Sequence, residues 1–212
     1  WDHVGYGFHR YSTDQQWLTP HFEKMLYDQA LLSIVYLDAF LVTGNQSYAL
    51  TAKDIFSFVL SDLTSDKGGF FSSIDADSQG EEGIYYLWSY QQLEKALGAE
   101  LASVAAAVFN IDCKDDKGEP GILHISQGKS QLAEKLKVYP QQLEDMITDI
   151  IRKLFSARKK RPHPCIDQKI LADWNGLMVA ALAKGGRVLE RPLYIEAAKK
   201  GADFILDNML TE

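Results

Sequence analysis

Three of the chain's five histidines fall within its first 28 residues, together with Arg10, Glu23, Lys24 and two of its four tryptophans. Side chains of this kind cost free energy to bury and rarely accumulate for packing alone. Among them His9, Arg10, His21 and Glu23 are candidate catalytic residues. An imidazole can act as acid or base near neutral pH, a carboxylate can hold or exchange its proton, and a guanidinium can stabilise a developing oxyanion. The competing reading is a satisfied hydrogen-bond network that ties this entry segment to the helix after it. His3, His9 and His21 match no helix-face ligand spacing, so no metal is expected. Gly5-Tyr6-Gly7 has Arg10 where a dinucleotide fingerprint would place its third glycine, so no cofactor is expected.

Two further clusters carry polar chemistry. Asp75-Ala76-Asp77-Ser78-Gln79-Gly80 opens like a calcium loop, but position twelve is Tyr86 instead of Glu, and a turn fixed by Asp75 and Asp77 is the simpler reading. Asp77 and Glu82 could instead project as the paired carboxylates that glycoside hydrolysis requires. In the stretch Asp167 to Asn175, Trp174 can stack on the apolar face of a sugar while Asp173 and Asn175 bond its hydroxyls. The alternative is that Asp173 caps a helix and Trp174 fills core. Tyr11, Trp17, Trp88 and Trp174 together suggest an aromatic lining for a binding site.

The elements that must position these groups read as helices. Tyr27 to Thr43 is apolar on nearly every side, the pattern of a buried helix, while Tyr48 to Leu63 has one apolar stripe and a polar face. The same order of inner then outer helix recurs at Trp174 to Gly186 and Tyr194 to Leu210. An offset of 146 superposes Tyr48 on Tyr194 and Ala52 on Ala198, as an internal repeat of helical hairpins would. Ser89-Tyr90-Gln91-Gln92 resembles a capping box before Leu93 to Leu97. With Ala99 to Phe109 this makes a broken element that pairs with Gln141 to Phe155 as a third hairpin. Gly83 to Trp88 reads as a short strand, and Asn110 to Tyr139 as a long loop. The loops Trp1 to Leu26, Thr64 to Trp88 and Lys159 to Asp173 precede inner helices and should share one pole.

With 212 residues, 46% of them hydrophobic, the chain can bury a substantial core. A net charge of −7 argues against nucleic acid and anionic membranes as partners. The basic run Arg158 to Arg161 reads as the solvated end of a helix, no uninterrupted apolar stretch reaches membrane-spanning length, and no signal peptide opens the chain. A cytoplasmic setting is expected. Cys113 and Cys165 have no ligand or disulfide spacing.

The motifs DHVGYGFHRYST (Asp2 to Thr13), PHFEKMLYDQALL (Pro20 to Leu32), GGFFSSIDADSQGEEGIYYLW (Gly68 to Trp88) and DQKILADWNGLM (Asp167 to Met178) resemble those of the spermatogenesis-associated thioredoxin-domain family. Tyr6 departs from that family's usual glycine. The resemblance implies an all-α fold: a helical-hairpin (α/α) toroid similar to the 2-epimerases, of which residues 1–212 would be about half of a six-hairpin ring with a short β-hairpin in a polar loop. It also implies a thioredoxin-like domain upstream in a longer chain, as an attached partner, and more hairpins downstream. The functional expectation is a carbohydrate-active, epimerase- or isomerase-like protein that takes a sugar or polyol. The alternatives are a glycoside hydrolase using Asp77 and Glu82, and a non-catalytic client-binding scaffold.

Overall fold

The computed structural model describes residues 1–112 and 118–210. Cys113 lies outside the described residues, and Cys165 is an exposed free thiol. The fold is all-α and built from helical hairpins, with short β pairings confined to polar loops. The first hairpin joins α1 (Leu26–Thr43) to α2 (Gln46–Asp62). Gly44 closes α1 in the left-handed conformation, and the Asn45 side chain caps α2 by accepting from the Ser47 N–H. The last hairpin joins α7 (Ala172–Val188) to α8 (Pro192–Asn208). Ala52 and Ala198, paired by the sequence repeat, are both buried.

α7 packs directly against α1, so the inner helices of the first and last hairpins are neighbours. Leu37, Phe56, Val59, Phe70, Met178 and Leu182 fill the core between these four helices. The middle group is α3 (Tyr90–Leu97), α4 (Ala99–Phe109), α5 (Lys129–Leu136) and α6 (Pro140–Arg158). It packs mostly on itself around Leu93, Phe109, Leu132, Leu143 and Leu154. The capping box is present at Ser89 and Gln92. α5 falls inside the segment expected to be a loop. Only Leu132 and Ala133 of its eight residues are buried, too weak a stripe to stand out in sequence.

Two other expectations are corrected by packing. α1 was expected to be buried all round, yet Val35 is 60% exposed and Val42 86%, because α2 and α7 cover only part of its circumference. Its 18 residues are also long and apolar enough to cross a membrane by length and composition, which the sequence reading did not anticipate. The run Arg158 to Arg161 is not simply a solvated helix end: Arg158 is buried, and Arg161 donates to the carbonyl oxygens of Ile84, Tyr85 and Leu87.

The three loops expected at one pole do meet. β3 (Lys24–Met25), β4 (Ser73–Ile74) and β7 (Ile166–Asp167) form an antiparallel sheet in the order β3-β4-β7, one strand from each loop. Lys24 pairs with Ile74, and Ile74 with Ile166. Beside it β1 (Tyr11–Ser12) pairs with β2 (Pro20–His21), and β5 (Asp77–Ser78) with β6 (Glu81–Glu82). Gln79 and Gly80, both at positive φ, make the tight turn of the latter hairpin. Gly83 to Trp88 is a turn followed by an isolated bridge instead of the expected strand. Gly83 has φ +75, and a Cβ there would lie 2.4 Å from the Phe22 ring, so the chain bends where a strand would have continued.

Candidate functional site

The entry segment is anchored by a buried charge cluster. Asp2 is bonded bidentately by Arg158, whose Nη1 and Nη2 each donate to one carboxylate oxygen at 2.8 Å, and Lys24 Nζ reaches it at 2.7 Å. Lys24 also donates to the Tyr6 carbonyl, and the Val4 and Gly5 N–H groups donate to Asp2. Burial alone would raise the Asp2 carboxyl, but the charges of Arg158 and Lys24 outweigh it and hold the group well below the usual carboxylate range. Lys24 sits 4.4 Å from the centre of the Phe58 ring and 5.1 Å from that of Tyr86, further stabilising a cation with almost no access to water. Tyr6, where a glycine is expected, takes φ +63, a left-handed conformation.

Over this anchor opens a cavity of about 610 Å3, lined among others by His3, His9, Arg10, Tyr11, Trp17, Asp28 and Tyr86. This is the size of a small-molecule site. His9 Nδ1 lies 3.0 Å from the Phe22 carbonyl oxygen, a bond in which Nδ1–H must donate, so Nε2 keeps the lone pair. Burial and then the Lys24 charge hold His9 well below its ordinary pKa, and it is neutral. His3 is lowered to about 4, first by burial. Trp17 is 85% exposed with φ 58, a strained conformation for a bulky residue, in a loop that Asp14 holds by accepting from the Leu18 and Thr19 N–H groups.

Asp28, which the sequence offered only as a polar position on an apolar helix, is the notable group in this wall. One of its carboxylate oxygens is buried with no hydrogen-bond partner among the described residues. Burial raises its pKa to about 6, against an opposing effect of Arg10. The signal available in sequence was a single acid in the first turn of an otherwise apolar helix.

The other candidates separate into groups. His21 does not line the cavity; its ring is held between two carboxylates, Nδ1 2.7 Å from Glu82 and Nε2 3.0 Å from Glu23. Both bonds are made only when the three groups hold two protons between them. Glu23 also accepts from Arg10 at 3.0 Å, and Arg10 Nε donates to the Tyr27 hydroxyl. The chain Glu82–His21–Glu23–Arg10 therefore delivers one side chain, Arg10, to the cavity wall. Tyr11 stacks on His21 and lines the cavity as well.

Asp77 and Glu82 are cross-strand partners on one exposed hairpin instead of facing each other across a cleft, and neither lines the cavity. Trp88 is 2% exposed and covered by the Arg161 guanidinium 3.9 Å from its ring centre. Trp174 packs edge-on against Tyr27 at 4.7 Å. Asn175 is fully buried, accepts from the Phe70 N–H and donates to the Phe70 and Leu171 carbonyls, so its polar atoms serve the fold. Asp173 accepts from the Trp174 N–H but does not cap α7, whose N-cap is Leu171. Of the expected sugar-binding residues, Tyr11 and Trp17 are the two in the cavity wall. Among the described residues no cluster of His, Cys, Asp and Glu has the makings of a metal site.

No family model matches the chain. Among solved structures it is similar to a D-mannose isomerase (TM-score 0.32, 14% identity, 94% of this chain and 45% of that one) and to a cellobiose 2-epimerase from Bacillus thermoamylovorans (TM-score 0.26, 12% identity, 92% and 63%). Spermatogenesis-associated protein 20 of Homo sapiens is 39% identical over 98% of this chain and 30% of its own length, and that of Mus musculus 38% identical over the same shares. An uncharacterized protein of Caenorhabditis elegans is 31% identical over 96% of the chain and 31% of its own length. The chain thus spans about 30% of the length of its curated relatives and belongs, as that segment, to the spermatogenesis-associated protein 20 family.

Proposed function

We propose that the cavity binds a sugar or sugar-like polyol and moves a proton at the carbon next to its carbonyl, the reaction type of an isomerase or 2-epimerase. The observation that carries this reading is Asp28, an unpartnered carboxylate with a pKa of about 6, in a wall shared with Arg10 and with exposed aromatic rings. Trp17 and Tyr11 stack on the sugar ring. Once the sugar ring has opened to its carbonyl form, Asp28 takes the proton from carbon 2, and the resulting enediolate oxygen lies against Arg10, whose charge stabilises it. Passage of the carbon 2 hydroxyl proton to the carbon 1 oxygen through His9, with return of the Asp28 proton to carbon 1, gives the isomer; return of that proton to carbon 2 after the enediolate has turned its other face to Asp28 gives the epimer. His9, fixed with its Nε2 lone pair, accepts a hydroxyl hydrogen and orients the substrate. His21 acts through Glu23 to set the position of Arg10.

The test is proton exchange in D2O. The full-length protein is incubated with aldoses and ketoses, mannose and cellobiose among them, and deuterium at carbon 2 is followed by NMR. Incorporation that disappears in Asp28→Asn while the variant remains folded supports the proposal. Incorporation that survives in Asp28→Asn, or no incorporation and no binding with any sugar tried, refutes it.

A further inference from the structure

A second cavity, of about 560 Å3, lies between α3 and α6. Its wall carries Lys95, Arg152, Lys153, Lys160 and Arg161, with Trp88 beside them, and, among the described residues, no aspartate or glutamate. Five cations converge on one concavity in a chain whose net charge is −7. Asp149 is the carboxylate paired with any of them among the described residues, and it is shared between Arg152 at 2.6 Å and Lys153 at 2.8 Å. The Lys95 and Lys160 side chains have no hydrogen bond or ion pair among the described residues. Arg161 is held by three backbone carbonyls, Gln92 and the Trp88 ring, all of them neutral, so its position is fixed while no carboxylate among the described residues pairs with it. Burial, and after it the charge of nearby Arg158, lower its pKa to about 10.

A solvated basic helix face would spread flexible side chains over a convex surface. Here the cations surround a hollow large enough for a small molecule, and one of them is immobilised at its edge. We propose that this groove binds the phosphate group of a phosphorylated small molecule. A dianionic phosphate can be met by several of these donors at once, whereas a single carboxylate would leave most of the charge uncompensated. The site is independent of the sugar cavity, which is lined by other residues.

The experiment is a thermal-shift and calorimetric titration of the full-length protein at fixed ionic strength, with glucose 6-phosphate, pyrophosphate, inorganic phosphate, sulfate and glucose as probes. Binding of glucose 6-phosphate or pyrophosphate with Kd below about 1 mM, at least tenfold weaker in Lys95→Gln/Lys160→Gln, supports the site. Both lysines are exposed, so the double variant should unfold at the temperature of the parent protein. No binding, binding unchanged in the double variant, or a response to sulfate as strong as to the phosphate esters overturns it. The glucose titration reports on the other cavity and can succeed or fail without affecting this result.

Discussion

Replacing Asp28 by Asn should make the protein more stable at neutral pH while abolishing proton exchange. The pKa of this carboxyl is raised from 3.8 in the unfolded chain to about 6 in the folded one. Between these values the native state holds a proton that the unfolded state has released, so stability falls as pH rises through the window from about 4 to about 6 and the full penalty remains above it. A shift of about two units corresponds to about 3 kcal/mol. Asp28 is partly open to solvent, which screens the effect to about 1–2 kcal/mol. Asn keeps the shape and still leaves a polar atom unpaired, so any gain comes from removing the charge. For a chain of this size the gain corresponds to a rise of about 3–6 °C in Tm. Thermal unfolding of both proteins at pH 7.5 and pH 4.0 is the assay. The variant should be the more stable at pH 7.5 and equal to the parent at pH 4.0. A variant that is less stable at pH 7.5, or a difference that is the same at both pH values, would refute both the orphaned carboxylate and its assigned role.

The buried charge cluster makes the opposite prediction: Asp2→Ala leaves Lys24 and Arg158 without their shared anion and should cost about 3–5 kcal/mol in urea unfolding. Asn175→Ala removes the partners of both the Phe70 N–H and its carbonyl and should lower stability by about 2–4 kcal/mol in the same assay. Trp17→Ala should leave the urea midpoint unchanged, because the side chain is 85% exposed and alanine keeps the Cβ that strains the backbone there, while weakening sugar binding about 3–10-fold by calorimetry.

The sequence by itself determined the helices, because apolar periodicity and capping act over a few residues. The Ser89 and Gln92 box and the repeat of inner and outer helices were both legible. The convergence of three loops at one pole was legible too, since it follows from the order of the hairpins. Only the tertiary structure decided which polar groups face the cavity and which face each other. His21, as good a catalytic candidate in sequence as His9, is taken up by Glu82 from another loop, and Arg158 by Asp2, 156 residues away. Asn175 is spent on the backbone of Phe70, 105 residues distant. Asp28, adjacent in sequence to Tyr27 and surrounded by apolar residues, retains a buried oxygen that nothing pairs. Desolvation and charge pairing are set by neighbours brought together from distant parts of the chain, and those neighbours separate the groups that hold the fold together from the ones left free for chemistry.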